Sequence, residues 1–211
     1  DESLYVNLLI GSEATVRFAW GAARIKAETK LPWEGVYALS VCEAEQPFTV
    51  RLRVPEWATD SRFTHNGPSV SPAVENGYAV FAVAQGDVIA FADPMATVRI
   101  EAHPQAKADA GRVAITRGPL VYCLEGVDNH GEVDLLLAND PAFTVEKRPE
   151  LLGGIDVIHG KTADGEAFTA VPLYVWDNRI AGKMSVWLRQ KDKDVLWRAE
   201  VSHTQTGCKR L

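Results

Sequence analysis

The chain has 211 residues, 46% of them hydrophobic and 24% charged, with 22 basic against 28 acidic side chains and a net charge of −6. That is too long for a disulfide mini-protein, and it holds enough apolar side chain for one large all-β domain or two domains of about 100 residues. No basic patch suited to neutralising phosphates is visible, which argues against nucleic acid as a partner. No stretch approaches the roughly 20 apolar residues of a membrane span, so no membrane partner is expected.

Cys42, Cys123 and Cys208 lie far apart and form no CxxC pair. Sparse, odd-numbered cysteines argue against a disulfide-built secreted scaffold and lean towards the cytoplasm, with secretion or a periplasmic location still open. The chain starts at Asp1 with no charged n-region or apolar h-region, as a mature chain or a piece of a longer protein would.

In chain order, the predicted elements have a period of two. Val16, Phe18 and Trp20 alternate with Thr15, Arg17 and Ala19. Phe48, Val50, Leu52 and Val54 alternate with Thr49, Arg51 and Arg53. Val98 and Ile100 alternate with Arg99 and Glu101, and Met184, Val186 and Leu188 with Ser185, Trp187 and Arg189. Successive strand side chains point to opposite faces, so each segment offers one face to a core and one to water. Turn signals separate them at Asn66-Gly67, Asn76-Gly77, Gly86-Asp87 and Asp164-Gly165.

The pattern predicts an all-β chain of two tandem antiparallel β-sandwich domains, 1–95 and 96–211, with a break near Asp93-Pro94. In the second domain, strands are expected at 97–102, 112–116, 120–124, 133–137, 155–159, 168–176 and 183–189. A further apolar segment at 195–201 precedes a polar tail over 203–211. No helix of three turns is expected before the last 25 residues.

No catalytic residue is predicted. There is no G-x-S-x-G elbow, and Cys123 lies among apolar neighbours in Leu120-Val121-Tyr122-Cys123-Leu124, where desolvation disfavours a thiolate; Cys42 is a weaker candidate. His65, His103, His130, His159 and His203 lack ligand spacing, so no metal site is predicted. Glu43 with Glu45 and Asp192 with Asp194 read as solvated charges rather than a glycosidase pair. Gly153-Gly154 precedes a strand, not the helix a phosphate loop needs.

Tryptophan is more informative. Trp33, Trp57 and Trp176 sit beside Pro, Gly or Asn at loops or strand ends. Sugars present flat C–H faces and hydroxyl edges, so an aromatic flanked by polar groups is a sensible binder. Trp176, Asp177, Asn178 and Arg179 form the candidate carbohydrate site. Trp33 and Trp57 are expected to plug sandwich ends or fill a contact to another domain.

Several stretches together resemble one family. Residues 4–12 (Leu-Tyr-Val-Asn-Leu-Leu-Ile-Gly-Ser) are similar to the segment after the catalytic domain of glycoside hydrolase family 127, the β-L-arabinofuranosidases and relatives. Leu31-Pro32-Trp33-Glu34-Gly35 resembles the family's Tyr-Pro-Trp-Asp-Gly, and residues 48–57 its strand ending in an Ile-Pro-Gly-Trp-like turn. The longest match is 108–125, containing Arg117-Gly118-Pro119-Leu120-Val121-Tyr122; residues 171–179 are another. Leu9 replaces a usual aromatic, and Glu56 a usual Gly.

The resemblance implies an upstream α-helical barrel that carries a cysteine nucleophile, a glutamate acid/base and a zinc site of cysteines and glutamate. None of those motifs occurs here, so no cofactor is expected on this chain and zinc is implied only for the catalytic domain. The expected role is accessory and assembly: bracing the catalytic barrel, with a second copy as a further partner. The rivals are a module binding arabinose-containing carbohydrate and a free-standing adhesion-type sandwich.

Overall fold

The computed structural model describes residues 3–138 and 142–190. The segments expected at 195–201 and 203–211, with Asp192, Asp194, His203 and Cys208, lie outside these. The chain divides into two compact units, one of Asp1–Val98 with Thr116–Leu120 and one of Arg99–Ile115 with Val121–Leu211.

The first unit contains β1 (Ser3–Val6), β2 (Ser12–Phe18), β3 (Gly21–Thr29), β4 (Gly35–Ala44), β5 (Phe48–Arg53), β6 (Arg62–His65), β7 (Ser69–Val70), β8 (Val74–Glu75), β9 (Tyr78–Val83) and β10 (Val88–Asp93). One sheet runs β1-β5-β9-β8 and the other β2-β3-β4-β10-β6-β7. The alternation works as predicted: Tyr37, Leu39 and Val41 of β4 are buried, as are Val50 and Leu52 of β5 and Phe81 and Val83 of β9. Residues of both sheets belong to one apolar cluster, which makes the unit a β-sandwich. Phe63 of β6 joins the layers, its ring 6.0 Å from Phe81 of the opposite sheet and 5.8 Å from Phe91 of its own.

Not every pairing is antiparallel. β1 runs parallel to β5, Ser3 opposite Thr49 and Val6 opposite Leu52. Three strands intervene in the chain, so no hairpin turn imposes the antiparallel direction there. Where a tight hairpin does occur, its turn residues match the signal: Asn76 and Gly77 have φ of 51° and 82°, and link Glu75 to its partner Tyr78. Two positive φ values are what a type I′ turn requires.

The second unit contains β11 (Thr97–Glu101), β12 (Arg112–Arg117), β13 (Leu120–Glu125), β14 (Leu136–Leu137), β15 (Thr144–Arg148), β16 (Ile155–Lys161), β17 (Ala167–Pro172), β18 (Met184–Ser185) and β19 (Leu188–Gln190), with Thr97 and Val98 of β11, Thr116 and Arg117 of β12 and Leu120 of β13 grouped in the first unit. They form one hydrogen-bonded sheet, β14-β19-β12-β13-β17-β16-β15, with β11 also on β12 and β18 also on β13. β14 pairs with β19 in parallel. Helical structure among the described residues is limited to short 3-10 turns at Lys107–Asp109, Gly126–Asp128 and Leu173–Val175.

Several expectations change here. The strand foreseen at 183–189 is broken by a bend at Val186 and Trp187 into β18 and β19, and the one at 133–137 keeps only Leu136–Leu137. β17 ends at Pro172, and the chain continues as a 3-10 turn. β15 was not foreseen because Thr144–Arg148 is almost wholly exposed and carries no apolar alternation. Nor do the central strands have one wet face: Tyr122, Cys123 and Leu124, then Val157 and Ile158, then Ala170 and Val171 are consecutively buried. Both faces are covered at these positions of β13, β16 and β17, which explains why adjacent residues there are both apolar.

A carboxylate secures the Gly86-Asp87 turn of the first unit. Asn66 Nδ2 donates to Asp87 Oδ1 at 2.7 Å and the Ala84 N–H to Oδ2 at 2.8 Å, while Asn66 Oδ1 accepts the Val88 N–H at 2.8 Å. The Asn66 hydrogen bond, then that of Ala84, holds the Asp87 carboxyl below its ordinary value near 3.8. A depressed pKa contributes stability above the unfolded value, and that contribution is lost as pH falls through the folded one. Asp87→Asn is therefore expected to cost about 1 kcal/mol at pH 7. Urea unfolding should show the gap from wild type shrinking as pH drops below about 4.

Candidate functional site

The stretches that carry the family resemblance in the first unit meet at one place. Residues 7–10 follow β1, Leu31 and Pro32 follow β3, and Pro55 to Trp57 follow β5. With Pro119, they line a groove of about 560 Å³. Its walls are apolar, and Asn7, Arg53 and Glu56 supply the polar groups. Leu8 and Ile10 remain 66% and 57% exposed beside it.

Each loop is held by its own bonds. The Trp33 and Glu34 N–H groups both donate to the Lys30 carbonyl, at 3.1 and 3.0 Å, and close a turn over Leu31-Pro32. Arg117 Nη1 donates to the Trp33 carbonyl at 3.3 Å. Gly35 is required just beyond, since a β-carbon there would lie 2.2 Å from the Asp93 carbonyl oxygen. Asp93 itself is buried and satisfied, with Oδ1 accepting the Met95 N–H at 2.8 Å and Oδ2 the Asp60 N–H at 3.1 Å.

The tryptophans separate. Trp57 packs on the sandwich core, with its ring edge-on to Phe91 at 6.3 Å, as expected of a plug. Trp33 is 53% exposed.

The predicted carbohydrate site lies in the second unit, on the loop after β17. Trp176 and Tyr174 are exposed there. Asp177 takes a left-handed φ of 60°, which Asp tolerates better than most residues, and its N–H donates to Glu125 Oε1 at 3.0 Å. Asn178 Nδ2 donates to the Trp176 carbonyl at 3.1 Å. Arg179 differs from its neighbours. Its guanidinium turns inward, with Nη1 donating to Asp128 Oδ1 at 2.7 Å and Nη2 to carboxylate oxygens of both Asp128 and Glu125. The Asp128 hydrogen bond in particular raises the Arg179 pKa further above its already high value. Sequence reasoning found Arg179 but not Glu125 and Asp128, which lie more than 50 residues away. The available signal was a lone acid closing the apolar run of β13.

Cys123 is buried beside this cluster. Burial first, and then the Glu125 charge, push its thiol up to about 12, so a reactive thiolate is suppressed at neutral pH. Glu43 is paired with Arg24 at 2.7 Å, and Glu45 accepts the Ala22 N–H at 3.1 Å. His65 meets Asp87 at 3.2 Å; His159 bridges Glu146 at 2.7 Å and Thr169 at 3.1 Å. His103 Nδ1 accepts the Gln105 N–H at 3.1 Å, and His130 takes a positive φ. Among the described residues, no three His, Cys, Asp or Glu side chains converge as metal ligands. No helix among them is long and apolar enough to cross a membrane.

Removing Arg179 would leave Glu125 buried without its counter-charge. Arg179→Ala is expected to cost about 3 kcal/mol in urea unfolding, with part recovered in the Arg179→Ala/Glu125→Gln double variant.

Residues 3–95 match the profile of the β-L-arabinofuranosidase middle domain of glycoside hydrolase family 127, and residues 97–189 that of the family's C-terminal domain. The chain is 33% identical over 210 residues to a non-reducing end β-L-arabinofuranosidase of Bifidobacterium longum subsp. longum, an alignment spanning 83% of this chain and 32% of the relative. Among solved structures it is similar to a family 127 β-L-arabinofuranosidase from Geobacillus stearothermophilus T6, with a TM-score of 0.80 and 35% identity over 90% of this chain and 34% of that one. A second family 127 β-arabinofuranosidase has a TM-score of 0.80 and 31% identity over 90% of this chain and 35% of that one. The chain thus spans about a third of the length of these relatives. With both of its halves matched in order, the chain belongs to glycoside hydrolase family 127, of which it carries the middle and C-terminal non-catalytic domains.

Proposed function

We propose that the chain is the accessory and assembly region of a β-L-arabinofuranosidase-like enzyme, bracing an α-helical catalytic barrel and contributing to dimerisation. The observation that carries this reading is the groove of the first unit, where three family-like stretches converge with Leu8 and Ile10 left exposed. Apolar side chains of that exposure are stabilised by a covering surface. The activities of the relatives support a glycosidase parent.

The direct test assays the purified chain on aryl β-L-arabinofuranosides with zinc and a thiol reductant. The expected result is no turnover; turnover abolished by substituting a residue of this chain would overturn the reading. Leu8→Glu and Ile10→Glu are expected to weaken, by about tenfold, association with a family catalytic domain supplied in trans, as measured by calorimetry.

A second reading has its own observation: Tyr174 and Trp176 are exposed on a loop anchored by Arg179, the rigid aromatic platform that a sugar face requires. Titration with arabino-oligosaccharides should then change Trp fluorescence in wild type and not in Trp176→Ala. An undiminished response in that variant removes this reading.

A further inference from the structure

We propose that Asn76 is a modification site: its side-chain amide is lost by spontaneous cyclisation onto the Gly77 nitrogen, leaving aspartate and isoaspartate in the turn between β8 and β9. The step needs only water and hydroxide. Hydroxide takes the proton of the Gly77 main-chain nitrogen, which attacks Asn76 Cγ and forms the N–Cγ bond. The Cγ–Nδ2 bond breaks, and Nδ2 takes a proton from water and leaves as ammonia, which restores the hydroxide. Water then opens the five-membered imide. Cleaving the N–Cγ bond gives aspartate, and cleaving the bond from that nitrogen to the Asn76 main-chain carbonyl carbon gives isoaspartate. Nothing is oxidised or reduced.

Three turns have a sequence suited to this ring closure: Asn66-Gly67, Asn76-Gly77 and Asp164-Gly165. Glycine leaves the attacking nitrogen unobstructed in each. All six residues are exposed, so exposure does not separate them. Hydrogen bonding does. The Asn66 N–H donates to the Val88 carbonyl at 2.8 Å, its Nδ2 donates to Asp87 Oδ1 at 2.7 Å, and its Oδ1 accepts the Val88 N–H at 2.8 Å. At Asp164-Gly165 the nucleophile itself is engaged, with the Gly165 N–H donating to the Thr162 carbonyl at 3.1 Å. The ladder pair of the β8–β9 hairpin is Glu75 with Tyr78, which leaves the Gly77 nitrogen outside it. Among the described residues, no hydrogen bond holds the Asn76 side chain or the Gly77 N–H.

Ring closure requires the turn to open, and its flanking strand offers little resistance. β8 consists of Val74 and Glu75, both exposed, and it ends its sheet. A segment with so little buried side chain opens locally at low cost.

The consequence reaches β5. The Gly77 carbonyl accepts the Val54 N–H at 2.8 Å, and Val54 leads into Pro55, Glu56 and Trp57 of the groove. Isoaspartate adds one carbon to the main chain ahead of Gly77. It also sets a new carboxylate beside Glu75, whose own carboxylate pairs with Arg51 at 2.7 Å. A lengthened turn no longer fits the Glu75–Tyr78 pair and the Val54 bond together, so the modified chain is loosened at the end of β5.

Incubating the full chain at mildly alkaline pH tests this. Mass spectrometry follows each conversion, with fragmentation assigning the residue, and methyl transfer from S-adenosylmethionine by an isoaspartyl methyltransferase counts isoaspartate. In the native chain Asn76 is expected to convert about tenfold faster than Asn66 or more, because breaking the Asn66 hydrogen bonds adds to its barrier. In the urea-unfolded chain the two should convert at similar rates. Asn76→Gly, which keeps a residue suited to positive φ, should lose the major product and leave the slow Asn66 conversion unchanged. Aged wild type should unfold at lower urea than fresh protein, and aged Asn76→Gly should not. Native Asn66 converting as fast as Asn76 overturns the proposal, as does native Asn76 that stays intact while the unfolded chain reacts. Conversion with no fall in the urea midpoint overturns the coupling to β5 while supporting the site.

Discussion

Burial of the inward face of β5 against the inward faces of β4 and β10 is the constraint on which the first unit depends. Val50 and Leu52 have no solvent exposure, and they share one cluster with Tyr37, Leu39, Ile89 and Phe91. Removing each such side chain from water contributes about 1.5–3 kcal/mol, and a one-residue slip would turn the whole set outward. The strands cannot shift, so the loops that leave them cannot shift either. That is how Leu8, Pro32 and Trp57, distant in the chain, come to line one groove.

In the second unit the comparable constraint is electrostatic. Glu125 ends a strand whose preceding residues are buried on both faces, so its carboxylate sits where water cannot solvate it. Arg179 and the Asp177 N–H compensate that charge, and Asp128 shares the guanidinium. The consequence is positional: the loop bearing Tyr174 and Trp176 is tied to the end of β13, while its aromatic rings stay in solvent. The same cluster adds to the burial that keeps the Cys123 thiol protonated, which makes chemistry at that residue a poor explanation for its presence.

Much was legible in the residues. Alternation at Phe48-Thr49-Val50-Arg51-Leu52 marked β5 almost to its ends, and Asn76-Gly77 marked the β8–β9 hairpin because only a few residues accept two positive φ angles. Alternation failed where its physical basis failed. β15 has no buried face to mark it, while β13, β16 and β17 bury adjacent residues, which interrupts the alternation. Parallel pairing of β1 with β5 leaves no local trace, since nothing between Val6 and Phe48 encodes direction. Glu125 looked like an ordinary strand-end charge, because its importance lies in a partner 54 positions away.

By itself the sequence determined the strand-rich class, the turn positions, the family and the lack of its catalytic motifs, since each depends on neighbouring residues or on a contiguous pattern. Only the tertiary structure decided that the family-like stretches share a groove, that Arg179 turns inward rather than to solvent, and that Asn66, unlike Asn76, is bonded to a distant turn. These depend on pairings between segments tens of residues apart. Such pairings are selected by total buried area and by the compensation of buried charge, which no local window of residues expresses.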